Sequence, residues 1–161
     1  MKARTICALA VVGAGLAGGA QADDVVAPKI VAIHAQLYHE STGRFSVDLF
    51  GENPPALWNT IIGEGDHGGG PSNFTFVTVE VQGKNVPQGK VFVEIVARDD
   101  RRHVWGKGSH EISIYDQKTK FFAPLWLNQT GCEPLEISAR LVGKGVATTV
   151  VKNTIPFRCG E

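Results

Sequence analysis

Sulfur-containing residues are scarce in this chain, whose 161 residues include three cysteines and one methionine. Cys7 lies near the N-terminus, whereas Cys132 and Cys159 lie near the other end, and no two cysteines have C-x-x-C spacing. A dithiol redox site normally depends on that spacing. The sequence therefore gives no support to thiol–disulfide exchange as the function.

Motifs of hydrolytic catalysis and of metal binding are also missing. The chain contains no G-x-S-x-G turn, and its five histidines form neither H-x-H nor H-E-x-x-H. A serine hydrolase needs a nucleophile held on such a turn, and zinc proteases of the H-E-x-x-H type need paired histidine ligands. We therefore expect no catalytic residue, no bound metal and no cofactor, and we expect the protein not to be an enzyme.

An excess of charge of one sign is absent as well, because 16 Lys and Arg residues balance 16 Asp and Glu residues. The most charged stretch, RDDRRH at residues 98–103, mixes both signs and is typical of a solvated hairpin tip. Without a basic patch, nucleic acid is excluded as the expected partner. No apolar run beyond residue 22 is long enough to predict a membrane span.

The N-terminus has the features of a secretory signal peptide. Lys2 and Arg4 precede an apolar run over residues 6–17, and small residues occupy the A-x-A positions of a cleavage site at residues 20–22. We therefore expect a signal peptide at residues 1–22 and a single mature domain at 23–161. Such a protein would be secreted or periplasmic.

The two remaining cysteines are expected to pair. Export to an oxidising compartment makes a Cys132–Cys159 disulfide the default interpretation, ahead of a metal pair or two free thiols. The bond would close a loop of about 28 residues, for which the chain-entropy model gives roughly 3 to 4 kcal/mol.

Eight segments of the mature chain carry the alternation or turn signals of β-strands. Two of them, HEISIYD at 110–116 and KFFAPLWL at 120–127, flank a polar turn, and Pro124 marks an edge or a bend in the second. In the other six the alternation places these residues inward: Val31, Ile33, Ala35, Leu37; Phe45, Val47, Leu49; Val77, Val79, Val81; Val91, Val93, Ile95, Ala97; Leu135, Ile137, Ala139, Leu141; Val151, Ile155, Phe157.

Alternating rather than continuous apolar runs favour antiparallel sheets with one solvated face. The sequence therefore predicts an all-β fold, an antiparallel two-sheet sandwich like immunoglobulin or fibronectin domains, with about eight strands and one short helix. The Cys…Trp…Cys spacing of true immunoglobulin domains is missing. An eight-stranded barrel, which could enclose a small apolar ligand, is the alternative.

The longest stretch without a strand pattern runs from Gly51 to Asn73. Loops of this length are uncommon in compact domains and are often functional. Asn53 is a suitable N-cap, and apolar pairs four residues apart predict a short helix that ends at Gly63. Trp58 in this helix either plugs one end of the sandwich or contacts a partner.

The segment GEGDHGGGPS, residues 63–72, carries the other candidate binding residues, Glu64, Asp66 and His67. Its G-x-G-x-x-G spacing resembles a phosphate-binding loop, but such a loop lies between a strand and the start of a helix. Here the order is reversed, and three adjacent polar side chains supply only part of a metal site. The pattern favours a glycine-rich turn.

Taken together, these features predict a secreted or periplasmic, disulfide-stabilised β-sandwich that acts as a protein-binding or accessory module. Two alternatives stay open on the sequence. One is a small apolar-ligand carrier, which requires the barrel. The other is a metal-dependent enzyme that uses the 63–70 loop.

Overall fold

A computed structural model describes residues 25–55, 57, 72, 74–115, 119–130 and 132–158. The predicted signal peptide, most of the predicted helix and Cys159 lie outside these residues. So do the four candidate binding residues Trp58, Glu64, Asp66 and His67. Those interpretations stay predictions. The described part of the chain is all-β and contains no helix.

In the described ranges, eight β-strands form two four-stranded sheets. In chain order the strands are β1 (Val26–His39), β2 (Arg44–Phe45), β3 (Phe74–Lys84), β4 (Val91–Arg98), β5 (Val104–Glu111), β6 (Lys120–Asn128), β7 (Leu135–Gly143) and β8 (Val150–Ile155). The first sheet has the order β2-β1-β3-β6 and the second the order β5-β4-β7-β8. Every neighbouring pair is antiparallel.

The two sheets pack face to face, which confirms the predicted sandwich. Apart from the two-residue β2, the orders β1-β3-β6 and β5-β4-β7-β8 correspond to A-B-E and C′-C-F-G of immunoglobulin-type sandwiches. The barrel alternative is wrong, because within the described ranges no strand of one sheet is paired with a strand of the other. The chain changes sheets at residues 85–90 instead of pairing β3 with β4, so the ladder is not continuous as closure requires.

Three central strands follow the predicted alternation closely. In β3, β4 and β7 every second side chain is buried between the sheets, and these residues form the centre of the core: Val77, Val79, Val81, Val91, Val93, Ile95, Ala97, Leu135, Ile137, Ala139 and Leu141. Ile155 and Phe157, which are fully buried, extend the core at the end of the chain. The alternation was informative here because each of these strands has one face on the core.

The first hairpin departs from the expected register. Val31 is 42% exposed because the pairing of β1 with β3 is irregular between Ile30 and Ala32. Phe45 and Val47 are 46% and 62% exposed, so their predicted inward orientation is wrong. This irregularity is a β-bulge, and it turns the Val31 side chain away from the core.

Side chains replace the backbone ladder where the second strand was expected to continue. The N–H of Leu37 donates to Ser46 Oγ at 2.9 Å, and the N–H of Ala35 donates to Asp48 Oδ1 at 3.0 Å. The N–H of Leu49 returns a bond to the Ala35 carbonyl at 2.7 Å, and Leu49 is buried. The segment after β2 therefore covers the edge of β1 without regular strand pairing.

The fifth strand begins earlier than expected and pairs with β4, so the predicted strand at 110–116 is displaced. The apolar alternation of β5 cannot be recognised in its sequence, because two of its positions are glycine. A Cβ at Gly106 would overlap Leu127 of β6, so the lack of a side chain allows the two sheets to approach at this corner. Ile112 and Ile114, which follow the strand, are buried in the core.

Pro124 lies in β6, which is an edge strand of the first sheet, as expected for a proline without an N–H. Residues 99–103 connect β4 to β5 in a tight turn, which matches the predicted hairpin tip.

Candidate binding surface

The outer face of the first sheet carries a cluster of aromatic side chains. Tyr38 lies opposite Phe45 on one side and Phe74 on the other, and Phe76 lies opposite Trp126. Side chains two residues apart on a strand point to the same face, so these five rings converge at one end of the sheet. We call them the aromatic cluster.

Trp126 lies at the centre of the aromatic cluster. Its ring centroid is 5.3 Å from that of Tyr38, 5.7 Å from those of Phe74 and Phe76, and 6.4 Å from that of Phe45. All these separations fall in or near the range of favourable tilted and edge-on ring packing. Neighbouring rings therefore hold the indole in place, and its orientation does not depend on a partner.

The aromatic cluster is only partly covered by protein. Trp126 is 42% exposed and Phe45 is 46% exposed. Phe122, which lies on the same face of β6, is 52% exposed. Scattered apolar side chains are ordinary on a protein surface, but contiguous ones commonly mark a binding site.

Charged side chains border the aromatic cluster along the same face. His34 Nδ1 is 2.7 Å from Asp48 Oδ2, and His34 Nε2 is 3.5 Å from Glu80 Oε2. Lys120 Nζ is 2.8 Å from Glu80 Oε1. The border thus has paired charges of both signs, and the exposed apolar rings lie beside it.

Two carboxyl groups in this border have lowered pKa values. Burial raises the pKa of Asp48, but hydrogen bonds from the Ala35 N–H, from His34 and from the Phe50 N–H outweigh that effect. The Lys120 ammonium is the main cause that lowers the pKa of Glu80, and His34 adds to it. Because Asp48 also holds the segment after β2 against β1, its charge has a structural role.

The outer face of the second sheet is different in character. Ion pairs cross its strands, with Arg140 Nη2 at 2.7 Å from Glu94 Oε2 and Lys152 Nζ at 2.9 Å from Glu136 Oε1. Exposed pairs of this kind contribute little stability and are typical of a solvated surface. Among the described residues, no comparable group of packed aromatic rings lies on this face.

The acidic and histidine residues of the β4–β5 turn do not form an acid–base pair. Asp99 accepts hydrogen bonds from the His103 backbone N–H at 2.8 Å and from Trp105 Nε1 at 3.2 Å. The His103 ring packs edge-on against Trp105, with centroids 5.7 Å apart. These contacts fix a turn in which Arg102 has a positive φ of 65°.

Sequence reasoning missed the aromatic cluster. Four of its rings, Tyr38, Phe74, Phe76 and Trp126, lie at outward positions of β1, β3 and β6, where the alternation predicts polar residues. The fifth ring, Phe45 of β2, is the one that the alternation wrongly assigns to the inward face. The signal was the pair Phe74 and Phe76 in FTF, together with Tyr38 and Trp126 in the same outward phase of their strands. The predicted binding residues at 58–67 and the Cys132–Cys159 pairing stay untested predictions.

Over the described ranges, no group of three or more His, Cys, Asp or Glu side chains could bind a metal ion. Nor does any helix with the length and apolarity of a membrane span occur in that part of the chain.

No protein-family model matches the sequence, and no curated protein matches it significantly. A glycosyl hydrolase family 2 member from Bacteroides cellulosilyticus has a TM-score of 0.42 and 16% identity over 53% of this chain and 12% of that chain. A beta-glucuronidase from glycoside hydrolase family 2 has a TM-score of 0.40 and 9% identity over 52% of this chain and 10% of that chain. The present chain spans a small fraction of these enzymes, and likeness at this level assigns no function.

Proposed function

We propose that this protein is a secreted or periplasmic β-sandwich that binds another protein through the aromatic cluster and has no catalytic activity of its own. The observation that supports the proposal most directly is the half-exposed Trp126, held by four neighbouring rings on the outward face of the first sheet.

The composition of this surface suits a protein partner. Aromatic side chains are enriched at the centres of protein interfaces, and tryptophan and tyrosine are frequent among the residues that dominate binding energy. The charged border with His34, Asp48, Glu80 and Lys120 resembles the polar rim that surrounds such a centre. Because the rings already pack against one another, little side-chain entropy is lost when a partner covers them.

Export and a disulfide belong to the same proposal. The signal-peptide pattern at residues 1–22 supports export of the mature domain to an oxidising compartment, where Cys132 and Cys159 would pair. The bond would tie the segment after β6 to the end of the chain beyond β8, and so would limit separation of the two sheets at that end.

The test compares two single substitutions of exposed aromatic residues on opposite faces. Trp126→Ala removes the centre of the aromatic cluster, whereas Phe92→Ala removes a ring that is 37% exposed on the outer face of the second sheet. Tagged, exported protein is used to capture partners from the cell that produces it. We expect Trp126→Ala to weaken capture by at least about 30-fold, the size of a typical interface hot spot, and Phe92→Ala to retain it.

Both variants must first show the parental β-sheet circular dichroism and a cooperative unfolding transition. Equal capture by Trp126→Ala and the parent would refute the aromatic cluster as the binding surface. Capture that survives Trp126→Ala but is lost when Glu64, Asp66 and His67 are replaced together would instead locate binding in the 63–70 loop.

A further inference from the structure

In the described part of the chain, β8 is an edge strand of the second sheet. β8 pairs with β7 on one side, and no other strand of the described chain pairs with it. Unpaired N–H and C=O groups at a sheet edge alternate in partial charge, and another extended backbone is complementary to that pattern. We propose that β8 accepts an extended segment of a partner protein as a fifth strand of the second sheet.

The pairing pattern identifies which residues offer their backbone at this edge. The Ile112 N–H donates to the Val91 carbonyl at 2.8 Å, so the odd-numbered residues of β4 direct their backbone groups away from β7. Backbone groups alternate along a strand, and so the even-numbered residues of β7 bond to β4 and the odd-numbered ones to β8. Since Ala139 lies opposite Val151, the edge is formed by the backbone of Val150, Lys152 and Thr154.

The other edge strands carry features that oppose strand addition. β6 contains Pro124, which lacks an N–H. β5 contains Gly106 and Gly108 and has an irregularity in its pairing with β4. The pairing of β1 with β3 has two irregularities, and the segment after β2 covers the second half of β1. β8 has no proline, no glycine and regular pairing with β7, and its only charged side chain, Lys152, is drawn to Glu136 of β7 by an ion pair. Of the edges of the described sandwich it is therefore the least protected.

An apolar crevice lies beside this edge, between β8 and the beginning of β1. Its volume is about 230 Å³, and its walls include Pro28, Ile30, Leu141, Ala147 and Val151. Sites for small organic ligands usually exceed about 300 Å³, whereas one large apolar side chain fits in a smaller space. A strand added to β8 directs alternate side chains toward the crevice, and one apolar residue of the partner would fill it.

This inference rests on the proposed protein-binding function, since its ligand is a polypeptide, but it uses a surface separate from the aromatic cluster. Main-chain bonds would supply affinity for any extended segment, and the crevice would select an apolar residue at one position. The partner is thus defined by its conformation and by one apolar anchor.

The test uses the synthetic peptide LEISARLVG, the sequence of β7, because β7 already forms a regular antiparallel pair with β8 through the other edge. Amide hydrogen exchange is followed by NMR on the full mature protein. In the free protein we expect fast exchange at Val150, Lys152 and Thr154 and slow exchange at Val151 and Asn153. Saturating peptide should slow exchange at the first three residues at least about tenfold.

Lys152→Pro and Lys152→Ala form the matched pair. Both remove the exposed bond to Glu136, but only proline removes the edge N–H. We expect Lys152→Ala to bind the peptide like the parent and Lys152→Pro to bind at least about tenfold more weakly, the loss associated with one main-chain bond and its contacts. If Lys152→Pro does not fold, Thr154→Pro is compared with Thr154→Ala in the same way.

Trp126→Ala separates this proposal from the preceding one, because it should leave peptide binding unchanged. No saturable binding of the peptide, or equal binding by the proline and alanine variants, would overturn strand addition at β8. Protection of Val150, Lys152 and Thr154 that rises with protein concentration in the absence of peptide would also overturn it, since the occupant would then be a second copy of the chain.

Discussion

Gly143 offers a sharp test of the packing between β7 and β4. It lies opposite Val91 at the end of β7, with φ of +151°. A Cβ at this position would overlap the Lys90 carbonyl oxygen and would lie 3.0 Å from the Val91 Cα. The obstructing atoms belong to the backbone, so a side-chain rotation cannot relieve the contact.

The cost of Gly143→Ala follows from two effects. A backbone conformation that L-residues rarely adopt costs about 1 to 3 kcal/mol. Overpacking against backbone atoms that cannot move aside costs about 1 to 3 kcal/mol more. We therefore expect Gly143→Ala to lower the free energy of unfolding by roughly 2 to 6 kcal/mol, a large part of the stability of a domain of this size.

Gly145→Ala is the control, because Gly145 also has a positive φ, +79°, but has nothing within 4 Å of its added Cβ. It should cost only about 1 to 2 kcal/mol, the preference of L-residues against this conformation. Urea unfolding of both variants, followed by circular dichroism, measures the difference. Midpoints that coincide for the two variants would show that β7 does not approach Lys90 as closely as described.

Three further predictions concern other levels of the structure. Ile137→Asp should prevent folding, because it places an unpaired charge in the core, and a parental melting curve would refute the register of β7. The interactions that lower the pKa values of Asp48 and Glu80 stabilise the fold at pH values above the unfolded-state pKa of about 4. This contribution should be lost as the pH falls through the pKa values of the two groups in the folded protein. Replacing His34 with Gln should shrink that acid-dependent loss in urea titrations, and an unchanged pH profile would contradict the assignment. Intact-mass analysis of exported protein should show a chain that begins at Asp23 and is lighter by two hydrogens than the same chain with two free thiols. Retention of Met1, or two thiols that can be alkylated without reduction, would contradict the predicted export and disulfide.

The centre of the sandwich could be predicted from the sequence because β3, β4 and β7 each have one face on the core. Burial imposes a period of two on such strands, and a shift of one residue would expose the whole apolar set. The edges were less predictable. In β5 the positions toward β6 are occupied by Gly106 and Gly108, and glycine leaves no apolar residue to reveal the period.

The first hairpin shows a second limit of sequence reasoning. Phe45 and Val47 continue an apolar alternation, yet the ladder stops at Phe45 because the side chains of Ser46 and Asp48 accept the β1 hydrogen bonds. A pattern of apolar residues carries no information about whether a carbonyl or a side-chain oxygen accepts a given bond. The outward orientation of the Phe45 side chain therefore depended on these local hydrogen bonds and not on the apolar pattern.

By itself, the sequence determined the all-β class, the number of strands and the inward residues of the central strands, since these depend on local periodicity and turn chemistry. Only the tertiary structure decided between a sandwich and a barrel, because that choice depends on which distant strands pair. It also brought Tyr38, Phe45, Phe74, Phe76 and Trp126 onto one face. These rings are separated along the chain, and the cross-strand register makes them neighbours.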